Sequence, residues 1–242
     1  MAGTFSDTLR IGLLVCGRVR DEVAAEFGDY PELFGSLLGP HGVEIVVYDV
    51  MDGPVPDSVK ACDGWLVSGS AVSTYDDLPW IASAASFVRS LVEHEAPLVA
   101  ICFGHQLLAQ AMGGRVEKSE RGWGIGVHQY RVLADLPRWP DGLDPVNSLG
   151  LVASHQDQVT VVPDGAVVLA GTQHCPVAAY SLGARALAIQ PHPEFDVALS
   201  KALTLARRDQ YDPDLVDDAL ASLQEPTHQA TTAAWMASFL RG

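Results

Sequence analysis

Pro97-Leu98-Val99-Ala100-Ile101-Cys102-Phe103-Gly104-His105-Gln106 is the stretch on which the reading of this chain turns. An apolar run, Pro97 to Ile101, has the length and composition of a buried strand and ends on a cysteine. A helix pattern starts at once, over Phe103 to Met112, and Gly113-Gly114 closes it. Small residues stand two positions either side of Cys102, at Ala100 and Gly104. This is the cysteine form of a nucleophile elbow, a tight strand-to-helix turn that lifts the side chain out of a sheet. At a helix N-terminus the dipole and free N–H groups favour the thiolate, the reactive form of the side chain. The N–H of Phe103 would point to where an oxyanion develops.

Upstream, strand-like and helical segments alternate. Leu9 to Val15 reads as a buried strand. Pro31 to Leu38 reads as a helix ended by Gly39-Pro40. Val43 to Tyr48 and Gly64 to Val67 read as strands, and Trp80 to Glu95 as a helix. Such alternation implies βαβ units and a mostly parallel sheet, so the class is α/β. Ligands of these sheets bind beyond the C-terminal strand ends. Ser68-Gly69-Ser70 and Cys102 both fall there. Glycine at 69 lets a backbone N–H come close to a substrate carbonyl, as a second oxyanion donor.

From Gly124 to Ile189 the pattern becomes short β segments (127–132, 158–162, 167–170, 178–180, 186–189) divided by turn residues, read as antiparallel strands. The polar string Ser154-His155-Gln156-Asp157-Gln158-Val159 lies between apolar segments and reads alone as a surface turn. Gln190-Pro191-His192-Pro193-Glu194-Phe195 follows a strand. His192 can protonate a leaving amine and then activate water. Glu194 can hold one ring nitrogen and fix the tautomer. The two prolines stiffen this pair. Beyond it, helices are expected over about 197–208, 213–223 and 227–240, with Pro213 and Thr227 as start signals. Residues 1–195 would form the main domain. Residues 196–242 would form a helical extension packed on it, because Leu215, Leu220, Leu223, Trp235, Phe239 and Leu240 need cover.

Composition excludes several classes. With 30 acidic and 15 basic side chains the net charge is -15, which argues against direct nucleic-acid binding. No run of eighteen apolar residues indicates a membrane span. The first residues lack the pattern of a secretory signal, so the cytoplasm is the expected compartment. Cys16, Cys62 and Cys175 show no paired spacing and read as structural free thiols, not as a disulfide frame or zinc site. His105 is expected to pack beneath the elbow. His128, His174 and His228 carry no partner pattern. Trp123 could equally wall a pocket or pack in the core.

Taken together and in this order, Cys102-Phe103-Gly104-His105-Gln106, the Ser-His-x-Asp-x-Val string at 154–159 and His192-Pro193-Glu194 resemble the class I (triad) glutamine amidotransferases, over about residues 10–195. The resemblance implies a flavodoxin-like three-layer α/β/α sandwich with an added antiparallel β-ribbon. It implies Cys102 as nucleophile, His192 as base and Glu194 as its orienter, with the Gly69 and Phe103 amides as the oxyanion hole. It further implies that Gln106 contacts the glutamyl end of a substrate. The backbone of Ser154, His155, Gln156 and Asp157 would hold the substrate's α-amino and α-carboxyl groups, with Ser70 beside them. No metal or organic cofactor is implied. Two departures stand out: Ala100 replaces a usual glycine, and Ser68-Gly69-Ser70 replaces the Gly-Gly-Pro of many synthetase-coupled members. The latter, with Asp76-Asp77 and Trp80-Ile81, looks most like the γ-glutamyl peptidase branch.

The expected activity is therefore hydrolysis of a γ-glutamyl amide, in glutamine or in a γ-glutamyl peptide or conjugate, through a thioester on Cys102. The alternative is a glutaminase subunit that passes ammonia to a separate synthetase partner. A third is a catalytically silent binding protein on the same fold, which an intact Cys-His-Glu set disfavours. The sequence does not fix the oligomeric state.

Overall fold

Alternation along the first strand sets the layers. Ile11, Leu13 and Val15 face one apolar core, and Leu14 and Cys16 face another, as a strand buried on both sides requires. The computed structural model describes residues 8–242. Its strands are β1 (Leu9–Val15), β2 (Val43–Asp49), β3 (Gly64–Val67), β4 (Leu98–Ile101), β5 (Arg115–Lys118), β6 (Gly124–Val132), β7 (Ser148–His155), β8 (Asp157–Val161), β9 (Ala166–Gly171), β10 (Ala179–Leu182) and β11 (Ala186–Ile189). Nine form one sheet in the order β2-β1-β3-β4-β11-β10-β9-β6-β7, while β5 and β8 pair as a separate ribbon. From β2 to β11 the pairings are parallel; beyond β11 they are antiparallel.

The helices are α1 (Asp21–Phe27), α2 (Tyr30–Leu38), α3 (Pro79–Glu93), α4 (Phe103–Ala111), α5 (Val197–Ala206), α6 (Pro213–Ser222) and α7 (Gln229–Arg241). Phe34 and Leu38 of α2 and Trp235 and Phe239 of α7 share a core with Ile11, Leu13, Leu66, Val99 and Ile101. Ile81, Phe87, Val88 and Leu91 of α3 and Leu107 and Leu108 of α4 cover the opposite face, against Leu14, Trp65, Val67 and Leu98. The result is three layers. Close approach depends on Gly12, where a Cβ would lie 2.4 Å from the Trp65 ring. Among the described residues, no helix is long and apolar enough to cross a membrane.

Several boundaries differ from the sequence reading, each for a local reason. Helix α2 starts at Tyr30 because Asp29 and Glu32 form a reciprocal capping box, which satisfies N–H groups left open at the helix start. Strand β7 was hidden by its ends: Ser154 and His155 look like turn residues, yet they pair with Ile125 and Gly124 of β6. The turn shrinks to Gln156, and Asp157 already begins β8. Ribbon strand β5 and helix α1 carry too few apolar residues to stand out. Thr227 is not the start of α7; His228 occupies that place without a side-chain cap, and its Nδ1 accepts a hydrogen bond from the Gly150 N–H at 2.9 Å.

Helix α7 contributes some of the largest buried side chains, and the Trp235 indole donates to the Pro137 carbonyl at 2.8 Å. Trp235→Ala leaves a cavity and an unpaired carbonyl, so it is expected to cost about 3–5 kcal/mol, read as a lowered urea midpoint by far-UV circular dichroism. A loss below about 1 kcal/mol would show that α7 does not share the unfolding transition of the sheet.

Candidate active site

Cys102 takes φ 51° and ψ −102°, outside the regions that L-residues favour. Such a conformation costs of order 1–3 kcal/mol and persists only where its surroundings enforce it. Three backbone bonds do so here. Cys102 N–H donates to the Ile189 carbonyl at 2.9 Å, Gly104 N–H to Ser68 at 3.2 Å, and Gln106 N–H to Cys102 at 3.1 Å. A Cβ at Gly104 would lie 2.7 Å from the Val67 carbonyl oxygen, so only glycine lets α4 start this close to β3. Ala100, by contrast, is fully buried against the α3–α4 core, and its methyl group finds room there. Ser68 ties the strand ends together: its hydroxyl accepts from Cys16 N–H at 2.9 Å and donates to the Gly69 carbonyl.

Strand β11 pairs with β4 so that Ile189 stands beside Ile101, which brings the segment after each strand to the same place. His192 is anchored by its N–H, which donates to the Val152 carbonyl at 2.8 Å. Its Nδ1 lies 2.7 Å from Glu194 Oε1, with both side chains buried. The carboxylate assigns the Nδ1 proton and leaves Nε2 to act on Cys102. Burial alone would lower the His192 pKa. The negative charges of Cys102 and Glu194 outweigh it and raise the value to about 10. Phe195 stacks flat on the imidazole, with centroids 4.1 Å apart and planes 4° apart. Tyr30 in turn stacks on Phe195, with centroids 6.2 Å apart.

A cleft of about 350 Å³ opens over the sulfur. Ser70, Gln106, Ser154, His155, Gln156 and Asp157 all line it with Cys102, so the structure brings together the residues that the sequence singled out. The Gly69 and Phe103 amides donate to no other group among the described residues. A Cβ at Gly69 would lie 2.5 Å from the Tyr30 hydroxyl oxygen and 2.9 Å from His192 Cε1, which leaves no room for a side chain.

Some lining groups are already engaged. Gln106 Nε2 donates to the Asp157 carbonyl at 2.8 Å and to Gln190 Oε1 at 3.0 Å. Only its oxygen remains for a ligand. The Asp157 carbonyl also meets His155 Nδ1 at 3.2 Å, so that nitrogen carries the proton. Burial, followed by the field of neighbouring histidines, drives the His155 pKa down to about 3 despite that bond. The Asp157 carboxylate accepts the hydroxyls of Ser73 and Tyr75 and so straps the 71–76 loop to β8. Asp157 thus shapes the wall with both its backbone and its side chain.

Other residues are clearer than the sequence made them. Trp123 does both things considered for it, lining the cleft and packing edge-on against Tyr211 at 5.3 Å. His105 is fully buried beneath the elbow, edge-on to Tyr180 at 4.9 Å, and burial lowers its pKa to about 3. His128 and His174 meet at 5.6 Å, and His174 meets His155 at 6.4 Å. Cys16, Cys62 and Cys175 are free thiols whose pKa burial raises. Sequence reasoning missed Tyr30, Phe195, Arg18, Arg20, Lys118 and Arg207 around the site. Phe195 could have been found, since it adjoins Glu194. The others reach the cleft only through tertiary packing.

A family model for glutamine amidotransferase class-I matches residues 36–208. The chain is 32% identical to gamma-glutamyl peptidase 5 of Arabidopsis thaliana over 178 residues, which is 72% of this chain and 71% of that protein. It is 32% identical to the glutamine-hydrolyzing GMP synthase of Aromatoleum aromaticum over 200 residues, 77% of this chain but 37% of that protein. Among solved structures, a glutamine amidotransferase from Thermotoga maritima superposes with a TM-score of 0.75 at 17% identity, covering 97% of this chain and 99% of that one. One from Methylobacillus flagellatus gives 0.73 at 24% identity, covering 97% and 92%. With the elbow cysteine and its buried His–Glu pair in place, the chain is a member of the class I glutamine amidotransferase family, and the activity that goes with this membership is hydrolysis of the glutamine amidotransferase type.

Proposed function

We propose that the protein hydrolyses a γ-glutamyl amide bond through a thioester on Cys102. The observation that carries this reading is the buried Cys102–His192–Glu194 array at the strained elbow. The sulfur attacks the γ-carbonyl carbon, and the carbonyl oxygen takes up the negative charge. The free Gly69 and Phe103 amides receive that oxyanion. The tetrahedral species collapses as the C–N bond breaks, and the Nε2 proton of His192 passes to the departing amine. A γ-glutamyl thioester remains. Neutral His192 then removes a proton from water, whose oxygen attacks the thioester carbon. The C–S bond breaks and glutamate leaves, with the sulfur and imidazolium restored. Glu194 holds the ring in one tautomer and stabilises its charge throughout.

A stand-alone peptidase role is favoured by the similarity to γ-glutamyl peptidases over most of both chains. The second reading, ammonia delivery to a synthetase partner, is supported by the match to GMP synthases over part of their length. Glutamate release from glutamine and from a panel of γ-glutamyl peptides separates the two. Strong turnover of a peptide by the protein alone supports the first. Rapid alkylation of Cys102 without turnover of any compound favours the second.

Cys102→Ala is expected to abolish glutamate release with the circular dichroism spectrum unchanged, and Cys102→Ser to lose about a thousandfold or more in kcat. Full activity in either removes the mechanism. Glu194→Gln should slow the reaction less than His192→Ala, since orientation is lost but proton transfer is not. It also deletes one of the two charges that raise the His192 pKa. The imidazolium is then lost at lower pH, so the basic limb of the kcat/KM profile should move toward acid. A move toward alkali would assign that limb to another group.

A further inference from the structure

The cleft over Cys102 has the opposite sign to the protein around it. The chain holds 30 acidic side chains against 15 basic ones, yet Arg18, Arg20, Lys118 and Arg207 all line this cleft. Asp157 is the one carboxylate among its described lining residues, and Ser73 and Tyr75 occupy it. A water-poor concave surface focuses such a field, so the cleft suits an anion although the molecule as a whole repels one.

The four cations are not equivalent. Arg18 is paired with Asp49, and lies 3.6 Å from Asp29 and 3.9 Å from Asp52. Arg20 is paired with Glu22 at 2.6 Å. Lys118 and Arg207 make no ion pair among the described residues. Their places in the site differ. A narrow pocket of about 30 Å³, too small for an amino acid, adjoins the cleft; His192, Tyr30, Phe195, Arg207 and the already paired Arg18 line it, and Cys102 and Lys118 do not. His192 is the group that hands its proton to the departing amine, and Arg207 lines both this pocket beside His192 and the roomier cleft over Cys102, so it borders the side of the cleft from which the amine departs. Arg207 stands at the C-terminal end of α5, half-buried, near enough to Glu22 to act on its charge but in no ion pair among the described residues.

We infer that Arg207 recognises a carboxylate carried by the departing amine. The preferred substrate is then the γ-glutamyl amide of an amino acid or peptide, and free glutamine, which releases only ammonia, gains nothing from this contact. The inference rests on the hydrolase reading above. Its physical basis is the fork of a guanidinium, which can hold a carboxylate through two parallel hydrogen bonds. At a half-buried site, with Glu22 already held by Arg20, this contact is screened less than a surface pair.

The test compares γ-glutamylglycine with γ-glutamylglycinamide, whose leaving amines are of nearly equal size, one carrying a carboxylate and the other a neutral amide. Their difference in amine basicity is common to all variants, so the change in ratio on substitution is what reports on the contact. For the unaltered protein, kcat/KM is expected to favour the acid by about tenfold or more, as for other hydrogen bonds to charged groups. The preference should shrink as ionic strength rises. In Arg207→Gln the acid-to-amide ratio should fall toward one. Arg207→Lys should retain part of it, and Arg208→Gln, an exposed neighbour, all of it. The ratio is internal to each variant, so a loss of folded protein does not alter it. Equal turnover of both compounds by the unaltered protein, or an undiminished ratio in Arg207→Gln, overturns the inference and leaves the hydrolase reading intact. No turnover of either compound, with Cys102 still alkylated rapidly, overturns both.

Discussion

The site depends on a single backbone distortion. Cys102 is held at positive φ by bonds from its neighbours, one on each side of β4: its own N–H reaches Ile189 and the Gly104 N–H reaches Ser68. Relaxing that turn into an ordinary helix start would swing the sulfur away from the histidine beyond β11. The strain is small compared with the burial of β3, β4 and β11 on both faces, which is why the sheet can impose it. Every other functional element is placed with respect to these strand ends. Gly69 follows β3, His192 follows β11, and the Gln106 amide on the first turns of α4 ties down the wall at Asp157.

Electrostatics then turns a buried pair into a usable one. Burial opposes charge on His192, and the charges of Cys102 and Glu194 outweigh it. Phe195 covers the ring face and keeps water from screening these charges. Burial, and then the same charges on Cys102 and Glu194, raise the Tyr30 hydroxyl well above the ordinary range, so it stays neutral beside Gly69. The geometry thus separates roles that composition cannot. Three cysteines in apolar surroundings have raised pKa values, while the fourth sits where an imidazolium meets it.

Much of this was legible in the sequence because it is local. The elbow, the small residues at Ala100 and Gly104, the Pro-bracketed His192 and Glu194, and the alternation of strands and helices are short-range patterns. What escaped was set by long-range packing. Ser154 and His155 look like a turn, yet pairing with β6 makes them a strand end. Gln106 and Asp157 looked like ligand contacts, yet much of their bonding capacity is spent on each other and on the 71–76 loop. Tyr30 and Arg207 lie outside every motif and come to one pocket only because the start of α2 and the end of α5 meet there in the fold.

The parallel pairing of β4 with β11 has a consequence for how such a protein can change over time. Cys102 and His192 are far apart in the chain, but the register of Ile101 beside Ile189 brings them together. Almost everything between them in sequence, from β5 to β10, lies outside that pair, as the ribbon or the antiparallel half of the sheet. Insertions and deletions in the loops there that spare the Val152 contact to His192 can resculpt the walls of the cleft without moving the sulfur relative to the imidazole. The fold thereby uncouples selection on what is bound from selection on how it is cut, so new ligand preferences can evolve on an inherited reaction.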